Sequence, residues 1–166
     1  MEQILVLSTG GTFDKTYDLL TGHLHFKKSF VPSILTLGRS TLDTEAQTIF
    51  LKDSLDIVAK DRESIVKAIE NASHNRVVIT HGTDSIAETA TFLESYSLGK
   101  TIVLTGAMIP YSFGASDALF NLGSALAFAQ VLSPGVYVAM NGKYYKAGTV
   151  KKNRSTGYFE AKKYCA

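Results

Sequence analysis

The chain has 166 residues, with 17 Lys or Arg against 15 Asp or Glu and a formal charge of +2. That length suits one self-sufficient domain spanning residues 1–166, and the weak charge bias argues against a nucleic-acid or membrane-surface protein. The lone cysteine, Cys165, excludes a disulfide framework within the chain. No segment approaches the ~20 apolar residues of a membrane span. The start has neither the basic nor the apolar region of a signal peptide, so a soluble cytoplasmic protein is expected.

Ile4-Leu5-Val6-Leu7 reads as a buried strand that feeds the glycine-rich turn Ser8-Thr9-Gly10-Gly11-Thr12. The stretch from Phe13 to Thr44 is less regular, although His23-Leu24-His25-Phe26 alternates and suits a hairpin with residues near Tyr17. Ala46 to Leu51 is a second β-like run, ended by Lys52-Asp53-Ser54. Val58 to Ser73 reads as a helix, because Ile65, Ala68, Ile69 and Ala72 fall on one helical face. Arg76 to Thr80 is a third strand, ended by His81-Gly82-Thr83-Asp84. Asp84 or Ser85 is the expected cap of the next helix, with Ile86, Ala90 and Leu93 on its inner side. Thr101 to Leu104 is a fourth strand, ended by Thr105-Gly106-Ala107. Ser116 then caps an apolar helix to about Leu132, and Val136 to Met140 is a fifth strand. The tail from Lys151 is basic and polar, with Phe159 as its main apolar anchor. Strands alternating with helices predict an α/β domain with a mainly parallel sheet, flavodoxin-like or Rossmann-like, and near-continuous apolar strands predict three layers.

In such sheets ligands bind beyond the carboxyl ends of the strands. Every strand here ends in small or hydroxyl-bearing residues, which makes a pocket for a small polar molecule. Phosphate chemistry fits poorly: the turn lacks the GxxxxGK[ST] spacing and no GxGxxG is present. A GxSxG elbow is also absent. Thr12 and Thr83 each follow a glycine at a strand end, where a hydroxyl lies near backbone N–H donors. A threonine hydroxyl needs a base to become a nucleophile. A lysine steadied by a carboxylate can serve, and Asp84 with Lys151 or Lys152 offers that pair. Adjacent lysines are otherwise usually a solvated pair. His81 is more often a hydrogen-bonded structural histidine than a ligand, and His23 with His25 makes no metal site without further ligands. Tyr144-Tyr145 suits core or subunit contacts.

Thr9-Gly10-Gly11-Thr12-Phe13-Asp14-Lys15 resembles the first signature of the bacterial L-asparaginases, a family of threonine amidohydrolases. His81-Gly82-Thr83-Asp84-Ser85 resembles the second. Thr105-Gly106-Ala107-Met108 with Pro110, Ser116-Asp117 with Asn121-Leu122, and Val150-Lys151-Lys152-Asn153 resemble later stretches, in order along nearly the whole chain. The resemblance implies hydrolysis of L-asparagine to L-aspartate and ammonia by double displacement, with no cofactor and no metal. Thr12 is then the nucleophile and Tyr17 its assistant, while Thr83, Asp84 and Lys152 handle the proton. Ser54 matches the serine that holds the substrate α-carboxylate, beside Asp53, and Asp84 also meets the α-amino group. The Ala107 carbonyl lies near the amide nitrogen, Gly11 and Gly82 belong to the substrate-binding set, and backbone N–H groups near Gly11 and Thr83 stabilise the oxyanion. A homo-oligomer is implied as well. Departures are Leu55, Ala118 and Leu119 at positions where many members carry other residues, and the expected lack of the C-terminal domain of two-domain members. An acid donated by that domain is then replaced or missing, which implies weaker binding. Glutamine or D-asparagine specificity, and a catalytically weak amino-acid-binding or regulatory module, are the alternatives.

Overall fold

Alternate residues of each central strand point to opposite faces, and here both faces are apolar. The computed structural model describes residues 2–162, so Cys165 and Lys163 lie outside the described residues. In chain order the elements are β1 (Ile4–Gly10), a 3-10 turn (Thr12–Asp14), β2 (Lys15–Tyr17), β3 (Leu24–Phe26) and α1 (Val31–Leu37). Next come β4 (Thr44–Lys52), a 3-10 turn (Ser54–Asp56), α2 (Ala59–Asn71), β5 (Arg76–Thr80) and α3 (Ile86–Glu94). β6 (Thr101–Thr105), a 3-10 turn (Tyr111–Phe113) and α4 (Ala118–Val131) follow. The chain then forms β7 (Gly135–Met140), β8 (Lys143–Lys146), β9 (Val150–Lys152) and β10 (Phe159–Ala161).

The main sheet runs β4-β1-β5-β6-β7-β8, parallel except for β8, which pairs antiparallel to β7 at the edge. Counted in chain order, its five parallel strands stand 2-1-3-4-5, the flavodoxin-like arrangement. This decides between the two expected topologies. The chain leaves β1 toward β4 and then returns to β5 on the other side. The switch point therefore lies between β1 and β5, where both threonine motifs emerge.

One face packs Leu5, Leu7, Val77, Ile79, Ile102 and Leu104 against Ile65 and Ile69 of α2 and Ile86 and Leu93 of α3. The other packs Ile4, Val6, Val78 and Val103 against Val31 and Ile34 of α1 and Leu122 and Leu126 of α4. The three layers and the inner side Ile86, Ala90 and Leu93 agree with the sequence reading. Truncating one such buried leucine or isoleucine to alanine costs about 2–5 kcal/mol.

Three local expectations are corrected. Neither Asp84 nor Ser85 caps α3 with its side chain. The Ser85 hydroxyl donates to the Ser54 carbonyl at 2.6 Å, and the Asp84 carboxylate accepts from Lys152 at 2.9 Å. Tertiary partners outcompete the local amides. α4 begins at Ala118, so its cap position is Asp117 rather than Ser116, while the Ser116 hydroxyl does accept the first helical N–H, that of Ala118, at 3.0 Å as a cap would. The irregular stretch 13–44 contains a helix, α1, with Pro32 in its first turn, where the missing N–H costs nothing. The expected hairpin is present, with Tyr17 opposite Leu24 and Thr16 opposite His25.

The tail also holds more structure than its composition announces. β9 and β10 form a hairpin that pairs Lys152 with Phe159. Phe159 is buried in the core, as expected, and its carbonyl accepts the Tyr145 hydroxyl at 2.8 Å. Tyr144 is half exposed, with its ring edge-on to Phe128 and Tyr137.

Candidate active site

The strand ends meet backbone to backbone. Gly11 has φ +73°, and a Cβ built there would lie 2.3 Å from the Gly82 Cα. A Cβ on Gly82 would lie 2.5 Å from the Ser54 Cβ. No side chain fits at either point, so the turns after β1, β4 and β5 close to a separation that only glycine permits. The Gly11 N–H donates to the Lys52 carbonyl at 2.8 Å and fixes the β1 end to the β4 end. Thr12 and Thr83, one residue beyond Gly11 and Gly82, therefore flank one contact. Among the described residues, the amides of Thr12 and Thr83 donate to no protein acceptor.

Lys152 reaches this point from β9. Its Nζ donates to Thr83 Oγ1 at 2.8 Å and to Asp84 Oδ1 at 2.9 Å. Its neighbour Lys151 points to the other face of the two-stranded hairpin and pairs with Glu160 at 3.2 Å. The period of a strand thus separates two lysines that the residue pattern alone left equivalent and that only the family resemblance told apart. The Arg154 guanidinium adds a second cation 3.9 Å from the Asp84 carboxylate. Thr83 is buried, and its hydroxyl also contacts the Met108 sulfur at 3.6 Å.

Ser54 ties the second turn down. Its hydroxyl accepts the Asp84 N–H at 3.3 Å, and its carbonyl holds Ser85. Asp53 is turned elsewhere. Its carboxylate accepts the Leu55 N–H at 3.2 Å and pairs with Lys15 at the base of the β2–β3 hairpin. The hydrogen bond from Lys15 is the main reason this carboxyl stays below its usual range, with burial opposing it. Ala107 is buried directly after Gly106, whose carbonyl accepts from the Asn121 amide at 2.9 Å. Asn121 also accepts the Asn141 N–H at 3.1 Å, so one buried amide links the ends of β6 and β7.

Tyr17 lies on β2 with 49% of its surface exposed. Among the described residues its hydroxyl makes no hydrogen bond to Thr12 or Thr83. Of the other expected site residues, Gly11, Thr12, Ser54, Gly82, Thr83, Asp84 and Lys152 converge, Ala107 lies at the adjoining strand end, and Asp53 serves the hairpin.

Two buried ionisable groups beside the threonines were not singled out as site groups. Asp14 is fully buried, accepts the Phe30 N–H at 2.8 Å and has one carboxylate oxygen with no partner. Burial pushes its pKa up to about 6, against the opposing bonds from the Phe30 amide and the Ser29 hydroxyl. His81 is also fully buried, and burial pushes it down to about 4, so it is neutral at pH 7. Only their place in the two motifs hinted at either. Among the described residues no cluster of three or more His, Cys, Asp or Glu side chains is assembled, and no helix is long and apolar enough to cross a membrane.

The family described as Asparaginase, N-terminal, matches residues 3–164. An L-asparaginase of Thermococcus kodakarensis is 33% identical over 160 residues, covering 93% of this chain and 49% of its own length. The solved structure of the thermostable L-asparaginase from that organism, 33% identical in sequence, superposes with a TM-score of 0.86, covering 98% of this chain and 52% of the other. A glutaminase-asparaginase of Acinetobacter glutaminasificans is 31% identical, covering 90% of this chain and 49% of its own length. The crystal structure of a probable cytoplasmic L-asparaginase from Campylobacter jejuni has a TM-score of 0.82 at 29% identity, covering 97% of this chain and 53% of the other. The chain spans about half the length of the curated relatives it matches.

Proposed function

Because this chain belongs to the asparaginase family by its N-terminal domain, we propose that it hydrolyses L-asparagine to L-aspartate and ammonia. The observation that carries the reading is Lys152 Nζ, bonded at once to Thr83 Oγ1 and Asp84 Oδ1 beside the turn that bears Thr12. In this mechanism the Thr12 oxygen attacks the side-chain amide carbon, and its proton passes into the Thr83–Lys152–Asp84 group. The tetrahedral oxyanion is met by the free N–H groups of Thr12 and Thr83, which are worth most in a water-poor site. Collapse breaks the C–N bond, and the leaving nitrogen takes a proton and departs as ammonia. Water then attacks the acyl-threonine ester, returns a proton to Thr12 and releases aspartate.

Ser54 and Asp84 hold the α-carboxylate and α-amino groups, with Gly11 and Gly82 as the floor and the Ala107 carbonyl facing the amide nitrogen. Asp53 acts through Lys15, by anchoring the hairpin that carries Tyr17. Tyr17 assists Thr12 only once that hairpin folds inward, since its ring is half exposed here. The name of the Acinetobacter relative favours glutamine as the rival substrate. The Campylobacter relative supports a cytoplasmic site of action. A homo-oligomer is proposed on the family resemblance, and the apolar groove of about 270 Å³ between α1 and α4, with Leu119 on its rim, is a face that a second copy would cover. Sedimentation that finds only monomer at assay concentration overturns that last assignment.

Ammonia release from purified protein, with asparagine and glutamine in parallel, tests the activity. Protein that binds asparagine and frees no ammonia would falsify the hydrolase reading and leave the binding-module alternative. A Thr12→Ala protein that keeps the full rate removes only the nucleophile assignment.

A further inference from the structure

His81 stands between the candidate site and a buried polar chain that the proposed chemistry does not use. Arg62, from α2, is buried except for its contact with Glu88 at 3.0 Å. Its Nε–H donates to Thr89 Oγ1 at 3.0 Å. Arginine has no acceptor, so Thr89 is the acceptor there and its own hydroxyl proton is free to go elsewhere. The neighbour at 3.0 Å on its other side is His81 Nε2. At the far edge of the ring, His81 Nδ1 lies 2.8 Å from the Gly82 carbonyl oxygen. A carbonyl oxygen only accepts, so Nδ1 carries a proton. Nε2 is then the acceptor from Thr89. The doubly protonated ring is disfavoured, because burial and the nearby Arg62 cation both oppose a second charge.

The consequence lies one peptide further on. The Gly82–Thr83 peptide bond is trans, so the Gly82 carbonyl and the Thr83 N–H point in opposite directions across one plane. The carbonyl is held against the buried imidazole, and the N–H faces away from it, where it donates to no protein acceptor among the described residues. A glycine peptide would otherwise flip at little steric cost. We infer that Arg62, Thr89 and His81 form a positioning relay that locks the Gly82–Thr83 peptide with its N–H toward the strand-end site. The assignment rests on the asparaginase reading for what that N–H does, and on the hydrogen bonds alone for which way it points.

Long-range proton–nitrogen NMR of histidine-labelled protein at pH 7 reads the tautomer directly. Nδ1 protonated and Nε2 bare is expected for His81, and the opposite tautomer overturns the relay. Two variants then test the lock. In His81→Asn the side-chain amide nitrogen falls near the former Nδ1 and still donates to Gly82. His81→Leu cannot donate. The expected result is that His81→Leu lowers kcat by about 10–100-fold, the scale of a mis-set oxyanion donor, with KM changed less than about threefold. His81→Asn stays within about fivefold of wild type, and the Thr83 amide resonance moves in the leucine variant only. Equal losses in both, or a loss confined to KM, overturn the positioning role. Thr89→Val keeps the shape and covers the case in which His81→Leu does not fold. It is expected to shift the Nε2 resonance and lower kcat several-fold, and no change in either overturns the relay. If wild-type protein releases no ammonia, the hydrolase reading falls, and the tautomer and the Thr83 amide still decide the lock.

Discussion

At the end of β1 the chain is fixed by backbone contact. Gly11 lies against Gly82 with no room for a Cβ, and its N–H is tied to Lys52. At the end of β5 the fixing groups are side chains from distant parts of the chain, with Lys152 holding Thr83 and Asp84 from one side and His81 holding the Gly82 carbonyl from the other. The first wall is steric and independent of charge. The second is electrostatic, with Lys152 only 14% exposed, so its bonds are made in partial shelter from water. The two kinds of support predict different failures: a change at the first wall costs the fold, and a change at the second costs chemistry.

The largest separation is expected from Lys152→Ala. Ammonia release falls on the order of 10³-fold or more, as when one member of a catalytic unit is lost, while urea unfolding shifts by no more than about 1 kcal/mol. A rate near wild type places the proton-handling group elsewhere. Gly11→Ala is expected to do the reverse, because the methyl group has only backbone to push against. Unfolding free energy drops by about 3 kcal/mol or more, and activity is lost with the fold. A stable, inactive Gly11→Ala protein contradicts the steric account of that wall.

The buried groups sharpen the comparison through pH. Asp14 keeps its proton in the folded chain up to about pH 6, whereas the unfolded chain releases it near 3.8, so stability from this group falls as pH rises between those values. His81 acts in the opposite sense. The unfolded ring takes a proton near 6.5 and the folded ring near 4, so stability is lost as pH falls through that window. The two partly cancel. Asp14→Asn keeps an acceptor for the Phe30 N–H and removes the buried charge, and a gain of about 1–2 kcal/mol is expected at pH 7.5. The same variant should lose stability steadily between pH 6.5 and 4, where wild type stays flatter. Thermal unfolding against pH checks both, and a variant curve parallel to wild type sinks the assignment. The smallest effect is expected for Lys151→Ala. Its exposed pair with Glu160 is worth less than about 0.5 kcal/mol, and ammonia release stays within about twofold.

The parallel strands were legible because buried strands must be apolar on both faces, and Arg76–Thr80 is read to the residue. The two threonine turns were legible because glycine followed by threonine at a strand end is a local signal. The short pieces were not. β9 and β10 span three residues each in polar surroundings, too short for a period to register. α1 was hidden by Pro32, which reads as a breaker unless it is known to lie in a first turn. Asp53 looked like a substrate ligand by its place beside Ser54, and only the folded hairpin supplies the Lys15 that occupies it.

By itself, then, the sequence determined the layers, the strand ends and the two threonines, because periodicity and turn chemistry act over a few residues. Tertiary structure alone decided the 2-1-3-4-5 order, the opposite facing of Lys151 and Lys152, the loss of Asp84 and Ser85 as helix caps, and the pairing of His81 with Thr89. Each of these depends on which strand lies beside which and in what register. Contacts between residues as far apart as Thr83 and Lys152 leave no periodic trace in the chain.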